Sequence, residues 1–385
     1  GQTVQLVAQV SGTTNTAVNW TTSNAQVATV SATGLVTAVG AGSATITATA
    51  LAGGVAARTI VRRHRRPDPE AGEPLELLPP EDLGPVRSFD GTELAVRAAG
   101  PAGAPTLVFA HGFSLDLTTW HYQWTALSRR YRCVLFDFRS HGRSAPAVGG
   151  DLSLAAMAHD LAAVLEAAVP QGPALLVAHS MGAMAALALA ESRPDLLGRR
   201  VAGMVLAGAS ARDLFRGAIG SVAGLLRPGL GTVREALARL DRIRRHLVAR
   251  PGDLGGLATR ITQFGPEASP HLVDHVTRLA ARARSEVWTD GLLALVDLDL
   301  RHAARHVRVP ALVVVGERDR VTPPAQAVEL VDALPEGRLA VIPGAGHLAM
   351  MEAHEAFNDE LEAFAAEVLG AGRDRRSGRA GKGRR

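Results

Sequence analysis

The chain has 385 residues, a formal net charge of +4, 4% aromatic residues and a single cysteine. That length exceeds one typical domain and points to two. A lone Cys133 excludes an intrachain disulfide, no apolar run is long enough for a transmembrane helix, and scarce aromatics without a folded basic groove disfavour nucleic-acid binding.

Residues 1–57 contain no Asp, Glu, Lys or Arg. Short alternating runs, Val4–Val10, Val27–Val30 and Ala44–Ala48, are separated by turn signals at Ser11-Gly12 and Ala32-Thr33-Gly34. This pattern predicts a small all-β sandwich. With Val18-Asn19-Trp20-Thr21-Thr22-Ser23-Asn24, Gly34-Leu35-Val36-Thr37-Ala38 and Gly40–Ala48, residues 1–62 resemble a bacterial Ig-like domain of group 2. The resemblance implies Trp20 as the core tryptophan, a spacer or adhesive role, and contact with cell-surface or glycan material. It also implies a secreted or surface setting if the module is native, and a cytoplasmic one otherwise. The resemblance lacks an earlier strand, so a truncated module with an open sheet edge is expected; no initiator Met or signal peptide stands at Gly1. An accidental join of two unrelated segments is a second reading, and a leader remnant over Leu51–Val61, ahead of Arg62–Arg66, is a third; the latter carries Arg58 and is too short to span a bilayer.

Residues 63–85 have linker composition: a basic run, acidic residues and Pro67, Pro69, Pro74, Pro79 and Pro80. The tail, 371–385, is basic with Gly and Ser and is expected to be disordered.

Between them, Val86–Val96 alternates about Asp90-Gly91 and predicts a β-hairpin. Apolar strands follow at Thr106–Ala110, Cys133–Phe136, Ala174–Val177, Val201–Leu206, Ala311–Val315 and Leu339–Ile342. Helical stretches are predicted at Leu152–Ala168, Ala183–Glu191, Ala325–Leu334 and Glu355–Leu369. The alternation predicts an α/β fold with a mostly parallel sheet covered on both faces. Residues 211–306 break it, with Pro228-Gly229, Pro251-Gly252 and Gly265-Pro266, and are expected to form a helical cap.

The strand ends carry chemistry. Ala178-His179-Ser180-Met181-Gly182 places a serine on a sharp strand-to-helix turn, the form of a nucleophile elbow. Small-x-Ser-x-small also occurs in ordinary turns of Ala/Gly-rich chains, and Ala178 stands where Gly is usual. A serine needs a base, and the base needs an acid to orient it. Gly316-Glu317-Arg318-Asp319 follows a later strand, and Asp319 is favoured over Glu317. Pro343-Gly344-Ala345-Gly346-His347 then supplies a histidine on a glycine-rich loop. The backbone N–H groups of Phe113, after His111-Gly112, and of Met181 are the candidate oxyanion donors. Asp137, in Asp137–Ser144, is expected to cap local backbone.

In this order the motifs make Leu83–Leu369 resemble the α/β-hydrolase superfamily, most closely small bacterial serine hydrolases of the esterase, lipase and lactonase type. The resemblance implies Ser180 as nucleophile, His347 as base and Asp319 as acid, acting on an ester or lactone through an acyl-enzyme without cofactor. Perhydrolase- or haloperoxidase-like use of the same triad is the alternative. Another is a cell-surface binding protein with an idle hydrolase fold. Ala178, and Ser140 in a turn where Gly is usual, depart from the pattern.

Phe215, Leu225, Leu226, Phe264 and Trp288 are candidate pocket walls, or cap packing. A basic amphipathic helix over 233–250 reads as a solvated cap face rather than a membrane surface. His271/His275 and His302/His306 have helical spacing, but no third ligand is evident and no HExxH occurs. They read as solvated or structural, with no metal expected. Acyl chain, alcohol and oligomeric state are not legible.

Overall fold

A computed structural model describes residues 3–5, 18–41, 43–50, 56–62, 68, 70–169, 172–212, 254–295 and 299–380. The chain divides into two units, Gly1–Pro69 and Glu70–Arg385. The first holds β1 (Thr3–Gln5), β2 (Val18–Thr22), β3 (Ala28–Val30), β4 (Leu35–Ala38), β5 (Ser43–Ala50) and β6 (Ala56–Arg62). They form two antiparallel sheets, β1-β4-β3 and β2-β5-β6. Period-2 alternation turns Val36, Ala44 and Ile46 inward, whereas Trp20, implied as the core residue, is only half-buried. The leader reading fails on β6: Ala56–Arg62 is a strand paired along its length with β5.

The second unit is built on one eight-stranded sheet. Its strands are β7 (Glu81–Arg87), β8 (Glu93–Ala99), β9 (Thr106–Ala110), β10 (Arg132–Phe136), β11 (Ala174–His179), β12 (Val201–Ala207), β13 (Ala311–Gly316) and β14 (Gly337–Ile342). The order is β14-β13-β12-β11-β9-β10-β8-β7; β8 runs antiparallel to both its neighbours, β7 and β10, and the other neighbouring pairs are parallel. The helices are α1 (His121–Leu127), α2 (Leu154–Ala168), α3 (Met181–Ser192), α4 (Leu254–Gln263), α5 (Pro270–Arg282), α6 (Arg301–Ala304), α7 (Pro324–Ala333), α8 (Ala349–Glu352) and α9 (His354–Ala380).

Why the strands read as unbroken apolar runs is visible in their burial. Val108, Leu176, Met204 and Val313 face a core with α2, α3 and α7. Their neighbours Leu107, Leu175, Val205 and Leu312 face a second core with α1, α5 and α9. Each of these inner strands thus buries both faces. The order reverses at β9, which has β10 on one side and β11 on the other. Such a switch point opens a crevice at the carboxyl ends of the strands.

Two expectations need correction. The segment from Glu70 belongs to the second unit rather than to an extended linker. Leu75 is buried, Glu73 binds His121 Nε2 at 2.7 Å, and the Tyr122 hydroxyl donates to Glu70. Its charged residues are anchors, so composition misread them. The tail, expected to be disordered, continues α9 as far as Ala380; its Arg and Ala residues favour helix.

Between β12 and β13 the described residues form α4, α5, a π-helical turn at Val287–Gly291, and α6. Pro270 opens α5, and Ser269 Oγ caps it by accepting from His271 N at 3.1 Å. Phe215, Leu225, Leu226 and the stretch 233–250 lie outside the described residues. No described helix is long and apolar enough to cross a membrane.

Candidate active site

Three loops at the carboxyl ends of β11, β13 and β14 bring Ser180, Asp319 and His347 together. Ser180 Oγ lies 3.0 Å from His347 Nε2, and His347 Nδ1 lies 2.8 Å from Asp319 Oδ2. All three residues are buried. Ser180 is the N-cap of α3 at φ 51° and ψ −116°. That left-handed conformation is rare outside Gly and costs on the order of 1–3 kcal/mol. It is held by Ser180 N donating to Ala207 O at 2.8 Å and by Met184 N donating to Ser180 O at 3.0 Å.

The residues flanking the turn are small because backbone surrounds it. A Cβ on Gly182 would come 2.6 Å from the His111 carbonyl oxygen and 2.8 Å from that of Ala110. Ala178 replaces the usual Gly without breaking the sheet. It stays in register with Ala110 on β9 and Leu206 on β12. Ser140, the other departure, adopts φ 60°, which explains why Gly is usual there.

Asp319 is fastened on every side. Oδ1 accepts from Val321 N and Thr322 N, both at 2.8 Å, and Oδ2 accepts from Thr322 Oγ1 at 2.8 Å. Burial penalises its charge, but His347 and the Thr322 donors outweigh that and hold the carboxyl below its usual range. Glu317, the rejected alternative, instead accepts from Gly344 N at 2.9 Å on an exposed surface.

The loop carrying His347 is pinned from two directions that sequence reasoning missed. Glu352 accepts from Gly265 N at 3.0 and 2.8 Å, and also from Gly346 N. Its own pKa is raised, chiefly by burial. A Cβ on Gly346 would come 2.5 Å from the Phe264 carbonyl carbon, so this loop packs backbone to backbone on the end of α4. From the other side, His179 Nε2 lies 3.1 Å from the His347 carbonyl oxygen. Burial, then repulsion from His347, keeps the His179 imidazole neutral far below the usual range.

Gly112 approaches the serine so closely that a Cβ on it would come 3.3 Å from Ser180 Cβ. Phe113 therefore follows directly beside the elbow. His111 stiffens this turn: Nδ1 lies 2.8 Å from Gly112 O, and Nε2 accepts from Phe138 N at 3.0 Å. Burial lowers its pKa to about 4, consistent with that neutral tautomer. Trp288 meets the Phe113 ring edge-on at 5.2 Å, and its Nε1 donates to Ala280 O at 3.1 Å. Phe264 is buried behind the loop carrying His347.

Asp137 accepts from Leu117 N at 2.7 Å and Arg143 N at 2.8 Å. Burial and then Asp116 push its pKa up to about 7. Beside it Arg139, fully buried, is paired with Asp160 at 2.7 Å and Asp90 at 2.9 Å. Of the histidine pairs, His275 is buried with Nε2 3.2 Å from Thr118 Oγ1, and His271 Nε2 lies 2.9 Å from Glu73 O. His302 and His306 are not buried, and Glu191 joins them.

Comparison with known proteins agrees with this architecture. The profile described as alpha/beta hydrolase fold matches residues 105–354. That of the bacterial Ig-like domain (group 2) matches residues 1–61. Polyketide synthase ThaQ of Burkholderia thailandensis is 31% identical over 275 residues, which are 69% of this chain but 12% of that protein. A non-heme chloroperoxidase of Streptomyces lividans is 29% identical over 287 residues, 73% of this chain and 99% of that one. A thermophilic esterase from Thermogutta terrifontis superposes with a TM-score of 0.59 at 26% identity, covering 75% of this chain and 99% of the other.

Proposed function

Because the chain belongs to the α/β-hydrolase fold family, we propose that it is a serine hydrolase cleaving a carboxylic ester or lactone through an acyl-enzyme. The observation that carries this reading is the continuous path from Ser180 Oγ through His347 to Asp319, with steps of 3.0 and 2.8 Å. In the first half-reaction Oγ attacks the carbonyl carbon while His347 Nε2 takes its proton. The carbonyl electron pair moves to oxygen, where the N–H groups of Phe113 and Met181 receive it, with the positive end of α3 behind them. Collapse expels the alkoxide, which takes the proton from His347. Water then repeats the sequence on the acyl-enzyme. Asp319 stays ionised, orients Nδ1–H and stabilises the imidazolium.

In this reading the helices between β12 and β13 are the cap, and Trp288 and Phe264 line the acyl or alcohol pocket. The first unit acts as a spacer or cell-surface contact module. Peroxide as acceptor in place of water is the second reading, favoured by the chloroperoxidase relative.

The test is labelling with a fluorescent fluorophosphonate, wild type against Ser180→Ala, beside a p-nitrophenyl ester series with and without peroxide. Label and turnover that vanish together in the variant support the hydrolase. A folded wild type that takes no label leaves an idle fold as the better account.

A further inference from the structure

We propose that Glu191, His302 and His306 form a binding site for one divalent transition-metal ion of the zinc class, on the outside of the second unit. The sequence offered two histidines four apart; the fold adds a carboxylate from 111 positions upstream of His302. Glu191 lies in the last turn of α3, His302 lies on α6 and His306 lies just beyond it. One ligand atom from each falls within 4.8 Å of the others. His302 Nδ1 and Glu191 Oε1 are 2.9 Å apart.

Two imidazoles and a carboxylate, with water completing the shell, form a donor set that suits zinc. The two rings stand with centroids 4.8 Å apart, tilted by 56°. Two imidazoles sharing a tetrahedral ion at about 2.0–2.1 Å would have centroids about 5 Å apart. The rings are therefore already spaced for a common ion. Ligand atoms around it would stand about 3.3 Å apart, so the His302–Glu191 pair, at 2.9 Å, must open slightly and any wider separation within the 4.8 Å span must close. With 73% of the His302 side chain and 46% of that of Glu191 exposed, χ rotation is free to do this.

The tautomer of His306 is also set. Its Nδ1 donates to the His302 carbonyl at 3.1 Å, leaving the lone pair on Nε2. A backbone carbonyl on the second nitrogen is the outer partner a ligating histidine usually has. Arg301, the adjacent cation, is drawn to Asp299 at 2.9 and 2.5 Å.

The ion would join the end of α3, whose start carries Ser180, to the last turn before β13. Glu191 lies about 16 Å along the helix axis from Ser180, at about 1.5 Å per residue. The site is thus a brace and takes no part in acyl transfer.

Equilibrium dialysis of the untagged full chain against Zn(II), with Co(II) absorption as a spectroscopic check, tests it. One ion per chain with micromolar affinity, a tetrahedral Co(II) spectrum and a Tm that rises with free Zn(II) are expected. His302→Asn with His306→Asn should weaken binding at least tenfold, and so should Glu191→Gln, while ester turnover stays within about twofold. Absent stoichiometric binding, or binding that survives the double histidine variant, overturns the site. Full affinity in Glu191→Gln overturns the three-residue site as well.

Discussion

His179 and His347 are joined through the backbone: the Nε2–H of the first donates to the carbonyl oxygen of the second at 3.1 Å. The residue before the proposed nucleophile thereby holds the loop that carries the proposed base. Replacing His179 with Ala leaves a buried carbonyl unpaired, at a cost of about 1–3 kcal/mol. The expected outcome is a lower Tm and a kcat reduced by roughly tenfold or more with little change in KM, because the loss is one of geometry rather than of substrate contact. Equal changes in KM and kcat/KM, with kcat intact, would place His179 in substrate binding instead.

Asp319→Asn tests the orienting role. The amide retains the shape but cannot hold Nδ1–H as a carboxylate does. A fall in kcat of about 10⁴-fold is expected, with fold and Tm largely preserved. A tenfold effect or less would mean that Thr322, 3.3 Å from Nδ1, suffices to orient the ring.

The parts legible in the sequence were those with a local signature. Each inner strand of the parallel sheet, from β9 to β13, is an apolar run ending in a glycine-bearing turn, because both of its faces are covered. Ser180, Asp319 and His347 stand at the ends of such runs, so their order and type could be read together. The contacts that hold them could not. Glu352 reaches Gly265 across 87 positions, and Arg139 reaches Asp160 across 21, without any periodic signal. The prolines and charges of residues 70–80 resemble a solvated linker, yet Glu73 meets a buried His121 and the carbonyl of the same residue meets His271. Composition cannot distinguish a solvated charge from an anchored one.

Acid should destabilise the second unit before it reaches ordinary carboxylate pKa values. Burial lowers His111 and His275 to about 4, His141 to about 3, and His179 well below the usual range. In the unfolded chain a histidine takes up its proton near pH 6.5. Between about pH 6.5 and 4 the unfolded state therefore binds more protons at these four sites, and stability falls with pH. Asp137 and Glu352 work in the opposite sense: burial raises both pKa values, that of Asp137 to about 7, so their contributions are present at low pH and are lost as pH rises through the raised pKa. Asp319, with a lowered pKa, loses its contribution only below that window. Four groups against two give a net loss. Urea midpoints measured at about pH 7.5, 6 and 5 should decline; a flat or rising series would mean that these histidines charge without unfolding.

Ala178→Gly restores the usual elbow pattern and should bring no gain. The β11 ladder is already in register through this position on both sides. Gly in a strand loses about 0.5–1 kcal/mol through backbone entropy. A slightly lower Tm and a fluorophosphonate labelling rate within about threefold of wild type are expected. A large rate increase would show that the Ala178 methyl strains the turn.

Glu352 offers the sharpest test of how the region between β12 and β13 governs the site. Its carboxylate accepts from Gly265, at the end of α4, and from Gly346, next to His347. The two segments touch through backbone, with no side chain to fill any gap between them. Glu352→Ala removes the acceptor from both amides at once and leaves two N–H groups unpaired. Each such orphan costs about 1–3 kcal/mol, so a Tm loss of several degrees is expected. Because the loosened loop carries His347, kcat should fall further than stability alone would require at temperatures where the variant is fully folded. Glu352→Gln keeps one acceptor oxygen and should recover part of both losses. Because burial raises the Glu352 pKa, its protonation as pH falls should bring the wild type toward the glutamine variant, narrowing the difference between them at low pH. If Glu352→Ala lowers Tm but leaves kcat unchanged, the carboxylate braces the fold without setting the position of His347.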